Sequence, residues 1–216
     1  MKCKLKRIII IVIGMVLPVF SAANGEWKFI CDNDGINLYV REVSEHSEAE
    51  FKSVGIVNRP IEAVGAVLSD TTSYPRWFFK CIEAKKIPAE DTSASHFFLY
   101  VAIDTPWPFS DRDAVYETKI AVNHAQGKVV IHSTALKEAR VPIRANFVRI
   151  TDSELQWTLE RISAAATRIT FINRTNAAGP LADYLSNPGM RDTSLNSLQN
   201  LKKILDRLQN SEIIKP

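Results

Sequence analysis

Side chains that could do acid, base or metal chemistry are few in this sequence and widely scattered. The histidines are His46, His96, His124 and His132. Their spacing fits neither HxxxH nor HExxH, the patterns that set two imidazoles on one helix face for a metal. The sequence also contains no GxSxG elbow for a nucleophilic serine and no glycine loop that could cradle a phosphate. We therefore predict no catalytic residues, no metal site and no cofactor.

The charge of the chain does not suit nucleic acid. Among 216 residues there are 27 basic and 24 acidic ones, and four of the basic residues lie in the first seven positions: Lys2, Lys4, Lys6 and Arg7. The rest of the chain therefore has 23 basic residues against 24 acidic ones. Binding to a phosphate backbone needs clustered positive charge, so we predict no nucleic-acid partner.

The N-terminus has the pattern of a secretory signal. A basic stretch, Met1–Arg7, precedes an apolar run, and small residues follow at Ser21 and Ala23. The apolar run covers roughly 13 residues, whereas a membrane-spanning helix needs about 20. We predict a signal peptide over residues 1–23 with cleavage after Ala23 and export to the periplasm or the medium. A retained membrane anchor is the alternative.

The cysteines leave one question open. Cys3 would be removed with the signal, and Cys31 and Cys81 would then remain in an oxidising compartment. They can form a disulfide there, or each can be a small buried hydrophobic residue.

Residues 24–210 predict one mixed α+β domain, followed by a short tail over residues 211–216. Strict alternation in Leu155–Glu160 indicates a strand with one buried face. The expected elements are a short helix at Trp27–Cys31, a turn at Asp32–Gly35, strands at Ile36–Val43 and Phe51–Asn58, a helix beginning at Pro60, a second short helical piece at Tyr74–Phe79, and about six strands between Cys81 and Asn176.

A long amphipathic helix ends the domain. Its leucines recur every three or four residues, at Leu195, Leu198, Leu201, Leu205 and Leu208. Such a helix is long enough to lie across the concave face of a curved antiparallel sheet. Helix and sheet can pack into an ordinary core or stand apart around a cavity, and the hydrophobic pattern alone favours the ordinary core.

One segment resembles a known family. Tyr100–Tyr116 contains Pro106-Trp107-Pro108 and then Arg112-Asp113, which is similar to the PWP…RD segment of START domains, the steroidogenic-acute-regulatory-protein-related lipid transfer family. Three weaker segments agree with that family in order and spacing: Trp27 with Asp34–Tyr39, Pro60–Trp77, and Gly179–Asn187.

The resemblance implies a helix-grip (START/Bet v 1-like) fold, in which a curved antiparallel sheet wraps around a long C-terminal helix and encloses a hydrophobic tunnel. It further implies that the tunnel binds one lipid, sterol or related molecule. We expect a protein without catalytic activity that acts as a carrier or sensor in the cell envelope, and we favour a monomer. The corner at Trp107–Phe109 could make a transient membrane contact. The alternative is a polyketide-cyclase-like enzyme, with Tyr116 or Asp104 as the acid or base.

The resemblance also implies which strand faces line the tunnel. In the family, the arginine of the RD pair shares its strand face with residues of the cavity. Carried to this sequence, that parity predicts the following lining residues: Phe97, Leu99, Val101, Ile103, Arg112, Ala114, Tyr116, Thr118, Leu155, Trp157, Leu159, Ile169, Phe171, Met190, Ser194 and Leu198.

Two departures from the family pattern matter. Sterol-binding relatives often keep a carboxylate and an arginine inside the cavity, where this sequence has Leu99 and Thr118, so we expect a more apolar tunnel. We expect Arg112-Asp113 to be structural, with each side chain paired elsewhere. At Asn187–Gly189, proline and glycine weaken the helix, so we expect a kink or a restart near Met190, which could serve as a gate.

Overall fold

A computed structural model describes residues 25–43, 49–90, 92–137, 140–177 and 182–213. The predicted signal peptide and its cleavage site lie outside the described residues, as do residues 178–181 and 214–216. In the last helix, the side chains of residues 182–187 and 209–213 also lie outside them.

The described residues contain ten strands that form one sheet, and neighbours in the main strand order are antiparallel. They are β1 (Lys28–Asn33), β2 (Ile36–Arg41), β3 (Glu50–Val57), β4 (Cys81–Ile87), β5 (His96–Ile103), β6 (Asp111–Asn123), β7 (Lys128–Ala135), β8 (Phe147–Ile150), β9 (Ser153–Ser163) and β10 (Ala166–Thr175). Their order is β1-β2-β3-β10-β9-β7-β6-β5-β4, and the short β8 pairs in parallel with β6. The sequence predicts about six strands after Cys81, and the seventh is this four-residue β8.

Helices fill the concave side of the sheet. Between β3 and β4 lie α1 (Ile61–Ser69), a 3₁₀ turn (Thr71–Ser73) and α2 (Tyr74–Trp77), and after β10 comes α3 (Ala182–Ile213). The predicted apolar stripe of α1, Ile61, Val64 and Leu68, is buried. Among the described residues, no helix combines the length and the hydropathy that crossing a membrane requires.

The predicted helix at Trp27–Cys31 is wrong, because this segment belongs to β1. Asp34 (φ 54°) and Gly35 (φ 74°) both adopt left-handed conformations, which is the geometry of a two-residue hairpin turn. The turn pairs Asn33 with Ile36, so the preceding residues continue as a strand beside β2. The periodicity of five residues is too short to distinguish the two outcomes.

The second half of α3 packs tightly against the sheet. Leu198, Leu201 and Leu205 are buried, whereas Leu208 is exposed. A Cβ at Gly55 of β3 would lie 3.2 Å from Ile36 Cγ1, a tight contact, and 3.5 Å from Leu198 Cδ2, an ordinary one. The helix also runs without interruption through Pro188, so the predicted restart near Met190 is wrong. One missing N–H removes only a single bond from a helix of 32 residues.

Candidate functional site

A cavity of about 240 Å³ lies under the first half of α3. Its walls come from the facing ends of β5 and β6, the ends of β9 and β10, the Phe78–Lys80 segment after α2, and the Pro188–Thr193 segment of α3. Apolar side chains make up most of the surface. The volume is just below the ~300–1,000 Å³ of typical small-molecule sites, so the cavity can hold a small ligand or part of a larger one.

Seven of the predicted residues line this cavity. They are Val101, Ile103, Arg112, Ala114, Tyr116, Leu155 and Met190. Five of them lie on β5 and β6. Alternation along these strands brings their side chains to the same face, because Val101 pairs with Ala114 and Ile103 pairs with Arg112.

Other predicted residues line a second, much smaller hollow of about 20 Å³ farther along the sheet. They are Phe97, Leu99, Thr118 and Trp157, and Val101 and Leu155 line this hollow as well. The Thr118 hydroxyl lies 2.9 Å from that of Ser133, so the two polar groups satisfy each other. At positions 99 and 118, where sterol-binding relatives often have a charged pair, the hollow therefore has one apolar and one neutral side chain.

The remaining predicted residues lie in the packed core, away from both hollows. They are Leu159, Ile169, Phe171, Ser194 and Leu198, all fully buried or nearly so. Phe171 stacks on Trp157 with ring centroids 3.9 Å apart, and Trp77 meets Trp157 edge-on at 5.7 Å. These large rings close the space that the sequence assigned to one continuous tunnel.

The Arg112-Asp113 pair is divided between the two faces of β6. Arg112 donates from Nε to the carbonyl of Ala177 at 3.3 Å and from the guanidinium to the carbonyl of Ser110. Asp113 faces the other side, where Arg149 binds both carboxylate oxygens at 2.6 and 3.0 Å. Burial lowers the pKa of Arg112, and hydrogen bonding to Asp113 raises the pKa of Arg149. Both side chains therefore hold the fold together, as the sequence predicts.

A chain of hydroxyls lies at the floor of the cavity. The Tyr116 hydroxyl is 3.1 Å from that of Ser153, which is 2.6 Å from that of Thr175. Burial raises the pKa of Tyr116 to about 12, so the phenol is neutral near pH 7. A general acid or base works best with a pKa near the working pH, and Tyr116 does not meet that condition.

Asn173 of β10 also contributes to the cavity wall, and sequence reasoning missed it. Its Nδ2 donates to the Met190 carbonyl of α3 at 3.2 Å, whereas its buried Oδ1 has no partner among the described residues. The carbonyl accepts only, and this fixes the orientation of the amide. A lone asparagine between Ile172 and Arg174, in a strand with alternating apolar residues, is the only sequence signal.

The mouth of the cavity carries charged and aromatic groups. Lys80 and Asp104 form an exposed ion pair of 2.7 Å beside it. Thr105 and Pro106 continue the rim, and the next residue, Trp107, is 92% exposed. Asp104 is therefore a solvated member of an ion pair, and this does not suit the acid–base role that the enzymatic alternative gives it.

The two described cysteines are free thiols. Cys81 is buried and its Sγ lies 3.4 Å from the carbonyl of Glu83. Burial raises its pKa to about 12. Cys81 is therefore a small buried hydrophobic residue and not a disulfide partner in this structure.

Comparison of the sequence with known proteins gives a similar protein. No protein-family model matches this chain. An uncharacterized protein of Pseudomonas aeruginosa is 25% identical over 197 residues, which are 89% of this chain and 95% of the relative.

Three of the similar solved structures are lipid transfer proteins or domains. A STAR-related lipid transfer protein from Xanthomonas axonopodis has a TM-score of 0.74 and 26% identity, covering 83% of this chain and 98% of that one. Human STARD10 has a TM-score of 0.75 and 17% identity, covering 88% and 78%. Human StAR-related lipid transfer protein 5 has a TM-score of 0.73 and 16% identity, covering 88% and 90%. These similarities confirm the predicted helix-grip fold and the resemblance to START domains.

Proposed function

We propose, from the START-type helix-grip fold of this chain, that the protein binds one hydrophobic small molecule and carries or senses it without chemical change. The observation that carries this proposal is the cavity of about 240 Å³ between α3 and the sheet. An apolar hollow of this size inside a folded domain costs stability unless a ligand fills it. The likeness to the Xanthomonas axonopodis lipid transfer protein supports the same class of ligand.

Apolar enclosure can supply the affinity without any reactive group. Burial of one methylene contributes about 0.8 kcal/mol, so eight methylenes contribute on the order of 6 kcal/mol before the entropic cost of binding. Several polar side chains in the cavity wall already have hydrogen-bond partners. The hydroxyls of Tyr116, Ser153 and Thr175 bond to one another, and Arg112 donates to backbone carbonyls. An acyl chain can therefore lie against them without breaking a hydrogen bond.

The cell envelope is the setting that we propose for this activity. If residues 1–23 are a signal peptide, the mature chain begins at Asn24 and works between or outside membranes. Cell fractionation and N-terminal sequencing of the purified protein test this part. A first residue of Met1 in a protein that stays in the cytoplasm would contradict it.

Contact with a membrane surface would bring the ligand to the mouth. Trp107 is almost fully exposed beside the rim, and an amphipathic indole is suited to the membrane–water interface. Co-sedimentation with anionic liposomes should fall in a Trp107→Ala, Phe109→Ala variant. Equal sedimentation of the variant and the natural protein would exclude this corner as the contact.

The central test is identification of the bound molecule. Native mass spectrometry of protein purified from its own cell envelope should show one adduct per chain, and lipid extraction should release a hydrophobic molecule. Ala114→Phe fills the cavity and should abolish the adduct, whereas Ala121→Phe, the same change at an exposed position of β6, should retain it. The absence of any adduct, together with no binding of added lipids, would refute the proposal.

A cyclase-like enzyme is the competing function. It predicts chemical conversion of a molecule held in the cavity, and it predicts loss of that conversion in Tyr116→Phe. Recovery of the bound molecule unchanged after long incubation would favour the carrier.

A further inference from the structure

The two hollows are separated by very few side chains. Phe78, Val101 and Leu155 line both. Val101 and Leu155 belong to the strands β5 and β9, whereas Phe78 directly follows α2. Phe78 is therefore the shared residue that lies outside the strands of the sheet.

Neighbouring rings hold Phe78 in that position. Its ring centroid lies 5.7 Å from that of Trp77, 6.1 Å from that of Tyr74 and 6.2 Å from that of Phe171. Contacts on several sides restrict the rotamers of a buried ring. The ring thus acts as a fixed partition and not as a side chain that swings freely aside.

The space beyond the partition is suited to an apolar chain. Leu99, Ile131 and Trp157 form much of its wall. The Thr118 and Ser133 hydroxyls there bond to each other, so a methyl end would leave no polar group unsatisfied. This inner hollow is also lined mainly by apolar side chains, but it is much smaller than the outer cavity, about 20 Å³ against about 240 Å³.

We propose that the ligand is a single-chain amphiphile and that Phe78 sets the longest chain the cavity accepts. This inference rests on the proposed binding function and adds the ligand class and a residue that determines specificity. A volume of about 240 Å³ lies below the ~300–1,000 Å³ of typical small-molecule sites. One short acyl chain fits that space, with its polar head at the Lys80–Asp104 rim, and two long chains do not.

The proposal makes a quantitative statement about chain length. Each added methylene that enters the cavity should raise affinity about fourfold. The increase should stop when the chain reaches Phe78. Removal of the ring joins the two hollows, so the increase should continue for about three more carbons, a gain of about sixtyfold for those chains.

The test uses saturated 1-monoacylglycerols of about 8 to 18 carbons, which displace a fluorescent fatty-acid probe from the purified protein. Phe78→Ala is compared with the natural protein, and Phe78→Leu serves as a milder variant if the alanine variant does not fold. The matched control is Phe98→Ala, the same change at a buried phenylalanine of β5 that lines neither hollow. Circular dichroism checks that each variant is folded.

The expected result is a longer cutoff in Phe78→Ala, an intermediate one in Phe78→Leu and the natural cutoff in Phe98→Ala. An unchanged cutoff in folded Phe78 variants, or an equal shift in Phe98→Ala, would overturn the role of Phe78 while leaving the binding function intact. Failure of every monoacylglycerol to bind a protein that still co-purifies with another hydrophobic molecule would overturn the single-chain class. Failure of all ligands would refute the binding function itself.

Discussion

At the scale of single residues, the cavity wall owes its character to polar groups that are already satisfied. Arg112 bonds to two carbonyls, and Tyr116 begins a chain of hydroxyls. The buried Oδ1 of Asn173 is an exception among the described residues. A buried acceptor without a donor costs about 1–3 kcal/mol, so the stability of β10 against α3 should be sensitive to chemistry at this position.

We predict opposite outcomes for two replacements of Asn173. Asn173→Asp sets a carboxylate against the Met190 carbonyl and should lower the free energy of unfolding by several kcal/mol at pH 7, because it buries an unpaired charge. Asn173→Leu removes both the bond and the orphaned acceptor, and it should stay within about 1 kcal/mol of the natural protein. Urea denaturation measures both. If Asn173→Leu lowers the free energy of unfolding by clearly more than about 1 kcal/mol, the hydrogen bonding described for the Asn173 amide is contradicted.

Titration of the buried acids predicts how stability depends on pH. Burial raises the folded pKa of both Cys81 and Tyr116 to about 12, whereas unfolded chains have values near 8.5 for cysteine and 10 for tyrosine. The unfolded chain therefore loses these protons first. Stability from both groups is complete below about pH 8.5 and falls as the pH rises, by about 1.4 kcal/mol per pH unit for each group inside its window.

Urea midpoints between pH 8 and pH 11 test this expectation. Cys81→Ala should remove the part of the decline that begins near pH 8.5, and Tyr116→Phe should reduce the part that begins near pH 10. Burial also raises the pKa of Tyr74, so some of that second part should remain. A decline of unchanged slope in the double variant would show that other groups cause it.

At the scale of elements, α3 has two different halves. From Leu198 to Leu205 its leucines are buried against the sheet. From Pro188 to Thr193 the helix forms the roof of the cavity. Because Pro188 supplies no backbone N–H, the roof is the half with the weaker helical bonding.

The predicted gate at Pro188 is tested by strengthening the helix there. Pro188→Ala restores an N–H donor, so it should slow amide hydrogen exchange in the first half of α3 and slow release of a bound lipid. Gly65→Ala is the control, because it strengthens α1 at a position where a new Cβ meets nothing within 4 Å. Equal release rates in all three proteins, or full protection from residue 182 through Leu198 in the natural protein, would contradict a gate.

The sequence predicted most elements correctly and failed where periodicity carries little information. Strong patterns in β9 and α3 gave the right element and the right buried face. The short segment at Trp27–Cys31 gave the wrong one, because the hairpin turn at Asp34–Gly35 decides its conformation. Pro188 likewise weakens a helix locally, but the tertiary packing of the following leucines keeps the helix continuous.

At the scale of the whole molecule, the space between the helices and the sheet is partly packed and partly open. It forms neither one continuous tunnel nor a solid core. Large rings, Trp77, Trp157 and Phe171, fill the middle of the grip. The main cavity remains only beneath the first half of α3. A ligand would therefore extend from the Lys80–Asp104 rim to Phe78 and end there, which limits its length more than its chemical identity.

The amino-acid sequence by itself determined most of the order of elements after Ile36 and the inward faces of the strands. It also determined the separation of Arg112 from Asp113, since neighbouring residues in a strand point to opposite faces. Only the tertiary structure decided which inward residues line a cavity. Val101 and Phe171 both point inward, yet Val101 borders open space and Phe171 meets a stacked indole. A period of two assigns a side chain to a face, but the space in front of it depends on the volumes that distant helices and strands bring there.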